Sequence, residues 1–89
     1  MDGWIPIKDR LPEVRYDSCG NVLSDDVIIW RVKDSEGGEF EGYDIGFFVP
    51  KTECFEKWTE QGYWETICHI SKVKAWMPLP KPYTSEVAP

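Results

Sequence analysis

Two alternating segments joined by a glycine pair constrain the fold of this chain more than any other feature. In DDVIIWRVK, Ile28, Trp30 and Val32 share one side of an extended backbone, and the basic side chains take the other. After the connection DSEGGE, the segment FEGYDIGFFVP alternates again until Pro50, which cannot donate a ladder hydrogen bond. The pattern predicts an antiparallel hairpin with an acidic connection.

The remaining segments predict further short strands and at most one short helix. YWETICHI alternates, and VKAWMPLP supplies a last strand that Pro78 terminates. In TECFEKWTEQG, Thr52 is a candidate helix N-cap and Gly62 a stop, so residues 52–61 form either one or two helical turns or an aromatic-rich loop. We therefore expect a β-rich α+β fold with a small antiparallel sheet, comprising one domain of residues 1–82 and a flexible tail of residues 83–89.

Aromatic side chains are expected to supply much of the core. A chain of 89 residues, 15% of them aromatic, suffices for one modest core. Gly42 and Gly46 predict space for an aromatic neighbour lying across the second hairpin strand. Trp76 is placed inside in preference to Met77, because successive residues of a strand face opposite ways. The predicted core comprises Trp4, Ile5, Leu11, Ile28, Trp30, Val32, Tyr43, Ile45, Phe47, Trp58, Trp64, Ile67, Trp76 and Leu79.

The charge pattern bears on possible partners. The formal net charge is −6 and the isoelectric point is near 4.6. The ten basic residues are scattered among acids, which argues against direct nucleic-acid binding, since that requires clustered Lys and Arg. The densest acidic run contains no base and is either a solvated hairpin loop or a patch that meets a basic partner and imitates nucleic acid. Its members are Asp34, Glu36, Glu39, Glu41 and Asp44.

Cysteine and histidine residues give little indication of chemistry. Cys19, Cys54 and Cys68 include no Cys-x-x-Cys pair, and Met1 leads into WIPIKDR without an apolar stretch, so we expect free thiols in the cytoplasm. Cys68 and His69 are adjacent in a predicted strand, where their side chains point to opposite faces and cannot readily share an ion or a proton. No catalytic residue, metal ligand, cofactor or membrane span is predicted.

The two ends of the chain carry a family resemblance. WIPIKDRLP at residues 4–12 and VKAWMPLPKP at residues 73–82 resemble the bacterial and bacteriophage family DUF551, whose members typically begin with a Trp-Ile element ending in Leu-Pro and close with Trp-Met-Pro-Leu-Pro. Ala75 stands where members commonly carry His, so a family histidine has no counterpart here. The resemblance implies a small phage or prophage protein without an established activity. We expect its motif residues to act as structural straps: Trp4, Ile5, Pro6, Leu11, Pro12, Trp76, Met77, Pro78, Leu79 and Pro80.

Three functions are consistent with the sequence. The first is a non-enzymatic phage accessory protein that binds a host or phage protein, in one version inhibiting a host nucleic-acid-binding or defence protein. The second is a small-molecule or nucleotide-binding accessory domain with an aromatic cleft between the terminal motifs and the sheet. The third, ranked last, is a metal-dependent or Cys/His hydrolase. The oligomeric state is left open.

Overall fold

A computed structural model describes residues 3–80 and shows a β-rich fold. A six-stranded antiparallel sheet has the order β1-β8-β4-β5-β6-β7, and β2 and β3 form a separate two-stranded hairpin. The strands are β1 (Ile5–Pro6), β2 (Val14–Tyr16), β3 (Val22–Ser24), β4 (Val27–Ser35), β5 (Gly38–Val49), β6 (Cys54–Trp58), β7 (Trp64–His69) and β8 (Val73–Pro78). A 3₁₀ turn, Ile70–Lys72, is the only helical element within the described residues.

The predicted hairpin is confirmed as β4 and β5. The two strands pair continuously from Val27 opposite Gly46 to Ser35 opposite Gly38. Gly38 has a φ of +114°, a conformation that a side chain would strain, so a glycine is needed where the chain re-enters the sheet. β8 lies on the other side of β4, and β1 pairs with β8, so both ends of the chain join the sheet as strands.

Most of the core lies on one side of the sheet, which we call the inner side, while Phe47 and Val49 are buried on the other side. A buried cluster on this side comprises Val27, Ile29, Phe48, Phe55, Val73 and Trp76. A bulge in the β4–β8 pairing lets Val73 and Trp76, three residues apart, both face inward. With strict alternation, Val73 and Trp76 would point to opposite sides of the sheet, and only one of them could reach the core.

The core prediction was right for part of its list and wrong for another part. Phe47 and Trp76 are buried, and Ile5 and Ile67 pack against the buried cluster. The predicted core residues that are exposed instead are Leu11, Tyr43, Ile45, Trp58 and Leu79. Ile28, Trp30 and Val32 are only half-buried, because Val27 and Ile29 take the inner side of β4. The segment VIIW is apolar on both sides, so its period could not show which side faces inward.

Two further predictions are corrected by β6. Residues 52–61 form a turn followed by a strand, because Cys54–Trp58 pairs with both β5 and β7. The space at Gly46 is occupied by the Ile67 side chain and the Glu56 backbone, and the space at Gly42 by the stem of Lys33, so neither glycine accommodates an aromatic ring. The predicted tail, residues 83–89, lies outside the described residues.

Candidate functional site

The side of the sheet opposite the core carries an exposed apolar surface, which we call the open face. Antiparallel register puts Ile28 opposite both Ile45 and Met77, and Trp30 opposite Tyr43, so these side chains share one side. Tyr43 is 64% exposed and Ile45 48% exposed. The open face comprises Trp4, Ile28, Trp30, Tyr43, Ile45 and Met77.

Two tryptophans form the centre of the open face. The rings of Trp4 and Trp30 meet edge to face with centroids 6.1 Å apart. The indole Nε1 of Trp30 donates a 2.7 Å hydrogen bond to Glu41, which fixes the ring against the sheet. The Trp30 ring is therefore held in place, and its indole N–H is already satisfied.

Acidic residues continue the open face toward the end of the hairpin. Asp34 lies directly opposite Glu39, and both are exposed on the same side as Trp30. Like charges opposite one another in a sheet destabilise it slightly. Lys72 approaches Glu39 only to 3.9 Å. The open face thus grades from apolar side chains into an acidic end, with Glu36 in the adjoining turn.

The other two acids of the predicted patch are paired with bases and lie on opposite sides of the sheet. Glu41 faces the open side and accepts from Lys74 Nζ at 2.5 Å; the bonds from Lys74 and Trp30 lower its pKa. Asp44 faces the inner side, where Arg31 donates to it at 2.7 Å and Lys33 lies 3.3 Å away. Burial tends to raise the pKa of Asp44, but the bonds from both bases outweigh it and lower the pKa. The five acids therefore do not form one surface.

The terminal motif residues divide between the two sides of the sheet. Trp76 is 5% exposed, and its Nε1 donates a 2.8 Å hydrogen bond to the Arg10 carbonyl, which ties the segment after β1 over the core. Its strand partner Ile5 also packs on the core, whereas Trp4 and Met77 belong to the open face. Among the other motif positions Pro12 is buried, and those that are exposed are Pro6, Leu11, Pro78, Leu79 and Pro80.

A cleft lies under the β2–β3 hairpin, away from the terminal motifs. It has a volume of about 530 Å³ and is bounded by the hairpin on one wall and by β5, β6 and β7 on the other. Glu56 and Trp64 line it, and Trp64 also lines a shallower extension with Trp58 and Tyr63. The predicted aromatic cleft was placed between the terminal motifs and the sheet, where these strands instead pair with one another.

Within the described residues no hydrogen bond joins a cysteine side chain to His69, although Cys54 lies opposite His69 in the β6–β7 pairing. Burial raises the pKa of the Cys68 thiol, which keeps it protonated and weakly nucleophilic. His69 Nδ1 accepts from the Ser71 backbone N–H at 3.0 Å, and its Nε2 lies 3.6 Å from Glu53. Residues 3–80 contain no group of three or more His, Cys, Asp or Glu residues positioned to hold a metal ion. The same residues contain no helix with the length and apolarity of a membrane span.

Sequence reasoning assigned the open-face residues to the core, with the exception of Met77. Their alternation with Val27 and Ile29 was visible, but both sides of β4 are apolar. It missed Glu56 altogether, because a single acid in CFEKW gives no local signal of burial. Its environment depends on the β2–β3 hairpin, which lines the same cleft and is distant from CFEKW in the sequence.

Comparisons with known proteins identify the family. Neither a search of curated proteins nor a search of solved structures returned a match. The family model described as protein of unknown function (DUF551) matches residues 3–84. The sheet that joins both terminal motifs lies within this range. The chain belongs to the DUF551 family.

Proposed function

We propose that this protein is a non-enzymatic interaction module that binds another protein through the open face. The observation that carries the proposal is the exposure of Tyr43 and Ile45 beside the packed pair Trp4 and Trp30 on one side of a sheet. Clustered exposed aromatic and aliphatic side chains are typical of interface centres, where aromatic residues contribute most of the binding energy. The role fits an accessory protein of phage or prophage origin that acts on a host protein.

The charges around the open face favour a basic partner. Asp34 and Glu39 face the same side as the apolar centre, and a Lys or Arg from a partner would relieve their mutual repulsion. A second copy of the chain is disfavoured, because each copy carries a formal net charge of −6. In its specific form, the proposal names a nucleic-acid-binding or defence protein of the host as the partner, since nucleic-acid-binding proteins present clustered Lys and Arg residues.

The test compares matched double variants in affinity capture from bacterial lysate. Tyr43→Ser with Ile45→Ser removes apolar side chains from the open face. Val14→Ser with Tyr16→Ser removes similar, exposed side chains from β2 and serves as the control. We expect the open-face variant to lose at least about tenfold in affinity for the captured protein, with the control unchanged. Thermal melts establish that each variant is folded.

A charge variant tests the acidic end separately. Asp34→Lys with Glu39→Lys is expected to weaken capture and to remove its salt dependence, because opposite charges steer association. Equal capture by the parent and the open-face variant would contradict the proposal. So would sedimentation of the parent as a dimer that the open-face variant abolishes, because the face would then be covered by a second copy.

A further inference from the structure

The cleft under the β2–β3 hairpin contains a second, independent site. No residue of the open face lines it. Its volume of about 530 Å³ lies within the range of small-molecule pockets, roughly 300–1,000 Å³. Asn21 and Val22 of the hairpin face Glu56 and Trp64 of the sheet across it, and Lys51 lies at its edge.

Glu56 is the polar centre of the cleft. Its side chain leaves β6 on the side covered by the hairpin, and the residue is only 9% exposed. Glu56 Oε2 accepts one long hydrogen bond, 3.3 Å, from Thr52 Oγ1. None of the Lys and Arg side chains in residues 3–80 forms an ion pair with it, Lys51 included. A buried carboxylate with so few partners is costly in a folded protein unless a counter-charge reaches it.

Aromatic rings form the neighbouring wall. Trp58 and Trp64 pair across the β6–β7 hairpin with ring centroids 5.3 Å apart, and Phe47 supports Trp64 from below at 5.1 Å. Trp58 and Tyr63 are more than half exposed along the extension of the cleft. Trp64 Nε1 is shielded from solvent and has no hydrogen-bond partner among residues 3–80, which is unusual for a buried donor. The wall therefore offers ring faces and, at Trp64, an indole N–H without a hydrogen-bond partner.

We propose that this cleft binds a guanidinium or alkylammonium group, carried by a free small molecule or by an Arg or Lys side chain of a peptide. The positive group lies against the Glu56 carboxylate, and its alkyl stem and charged head pack on the faces of Trp58 and Trp64. The net charge of −6 favours the approach of cations. A phosphate-bearing ligand is disfavoured, because the buried carboxylate would repel it. The cleft would thus give the protein a ligand-binding site that is separate from the open face.

The test uses two probes of nearly the same shape that differ in charge. Argininamide and citrullinamide are both used with the α-amino group acetylated, so the first carries a guanidinium as its only charge and the second carries a neutral urea in its place. In a ¹H–¹⁵N NMR titration, each of the five tryptophans gives one indole N–H signal. We expect argininamide to shift the signals of Trp58 and Trp64 at millimolar concentrations and citrullinamide to leave them unchanged.

Matched variants locate the charge that is responsible. Glu56→Gln keeps the size and the acceptor oxygen and is expected to weaken argininamide binding about tenfold. Glu60→Gln makes the same charge change in the exposed β6–β7 turn and should bind like the parent. Lys51→Ala removes a like charge from the edge and should strengthen binding. If Glu56→Gln does not fold, Tyr63→Ala tests the aromatic wall instead and should weaken binding several-fold.

The same titration distinguishes the two sources of the cation. Tighter binding by a capped Arg-containing peptide than by argininamide indicates a side chain of a protein, and the reverse order indicates a free small molecule. Equal shifts by argininamide and citrullinamide, no indole shift with either probe, or unchanged binding by Glu56→Gln would overturn the proposal. Weaker binding of argininamide by Lys51→Ala would also overturn it, because removing a positive charge beside the site should strengthen the binding of a cation.

Discussion

Gly46 and Gly42 provide a matched pair for testing how closely β6 approaches β5. They lie four residues apart in β5 and face the same side of the sheet. A Cβ at Gly46 would lie 2.5 Å from Ile67 Cδ1 and 2.6 Å from the Glu56 carbonyl oxygen. At Gly42 it would meet only the flexible Lys33 side chain, at 3.4 Å. The substitution Gly→Ala is therefore expected to have opposite consequences at the two positions.

The expected magnitude at Gly46 follows from what can move. Favourable contacts of a carbon atom lie at about 3.5 Å, so the Glu56 carbonyl oxygen would have to move about 1 Å away from the new Cβ. This oxygen belongs to the backbone. The Ile67 methyl can rotate away, but the carbonyl moves only with the strand. Overpacking costs about 1–3 kcal/mol, and we place Gly46→Ala at the upper end, about 3 kcal/mol. Gly42→Ala should stay within about 0.5 kcal/mol of the parent or gain slightly, because alanine restricts the unfolded chain.

Urea unfolding followed by tryptophan fluorescence measures both variants against the parent. A loss of about 3 kcal/mol corresponds to a fall in Tm of more than about 10 °C for a domain of this size. The denaturant slope should remain the same, since the variant should bury the same surface. If Gly46→Ala proved as stable as Gly42→Ala, β6 would not approach β5 as closely as the structure shows, and the reasoning would be wrong.

Three further predictions concern the core, a buried hydroxyl and an ion pair. Trp76→Ala should cost about 3–5 kcal/mol in urea unfolding, since the ring is 5% exposed; a variant that melted like the parent while losing its partner would show that Trp76 is a binding residue. Ser24→Ala should cost about 1–3 kcal/mol in urea unfolding, because Ser24 Oγ accepts from the buried Phe48 N–H at 2.8 Å; a Ser24→Ala variant as stable as the parent would count against this role. Because the pKa of Asp44 is lowered in the folded state, the unfolded state binds more protons, so this stabilisation is fully present above the ordinary pKa of 3.8 and is lost as the pH falls through the folded pKa. Asp44→Asn should flatten that acid limb of stability against pH, and an unchanged limb would contradict the assignment.

The hairpin could be predicted from the sequence because its signals are local. Alternation on both sides of a glycine pair specifies two paired strands, and β4 pairs with β5 from Val27 opposite Gly46 to Ser35 opposite Gly38. Which side faces inward is not a local property. Val27 and Ile28 are both apolar, and the inner side is decided by where β6 and β7 pack, many residues later in the chain. The same limit applies to Val73 and Trp76, because a bulge that depends on pairing with β4 turns both inward.

The candidate sites depend on how far the β2–β3 hairpin extends over one side of β5. Ile45 and Phe47 are two residues apart and face the same side, yet Ile45 is 48% exposed and Phe47 is 1% exposed. The hydrogen bond between Ser24 and the Phe48 N–H attaches the hairpin to β5 at this point. On this side of β5, Phe47 and Val49 are covered, and Val49 lines the cleft together with Glu56. Tyr43 and Ile45, which come earlier in the strand, remain exposed beside Trp30. One strand therefore contributes to both surfaces, and the position of the hairpin divides the open face from the cleft.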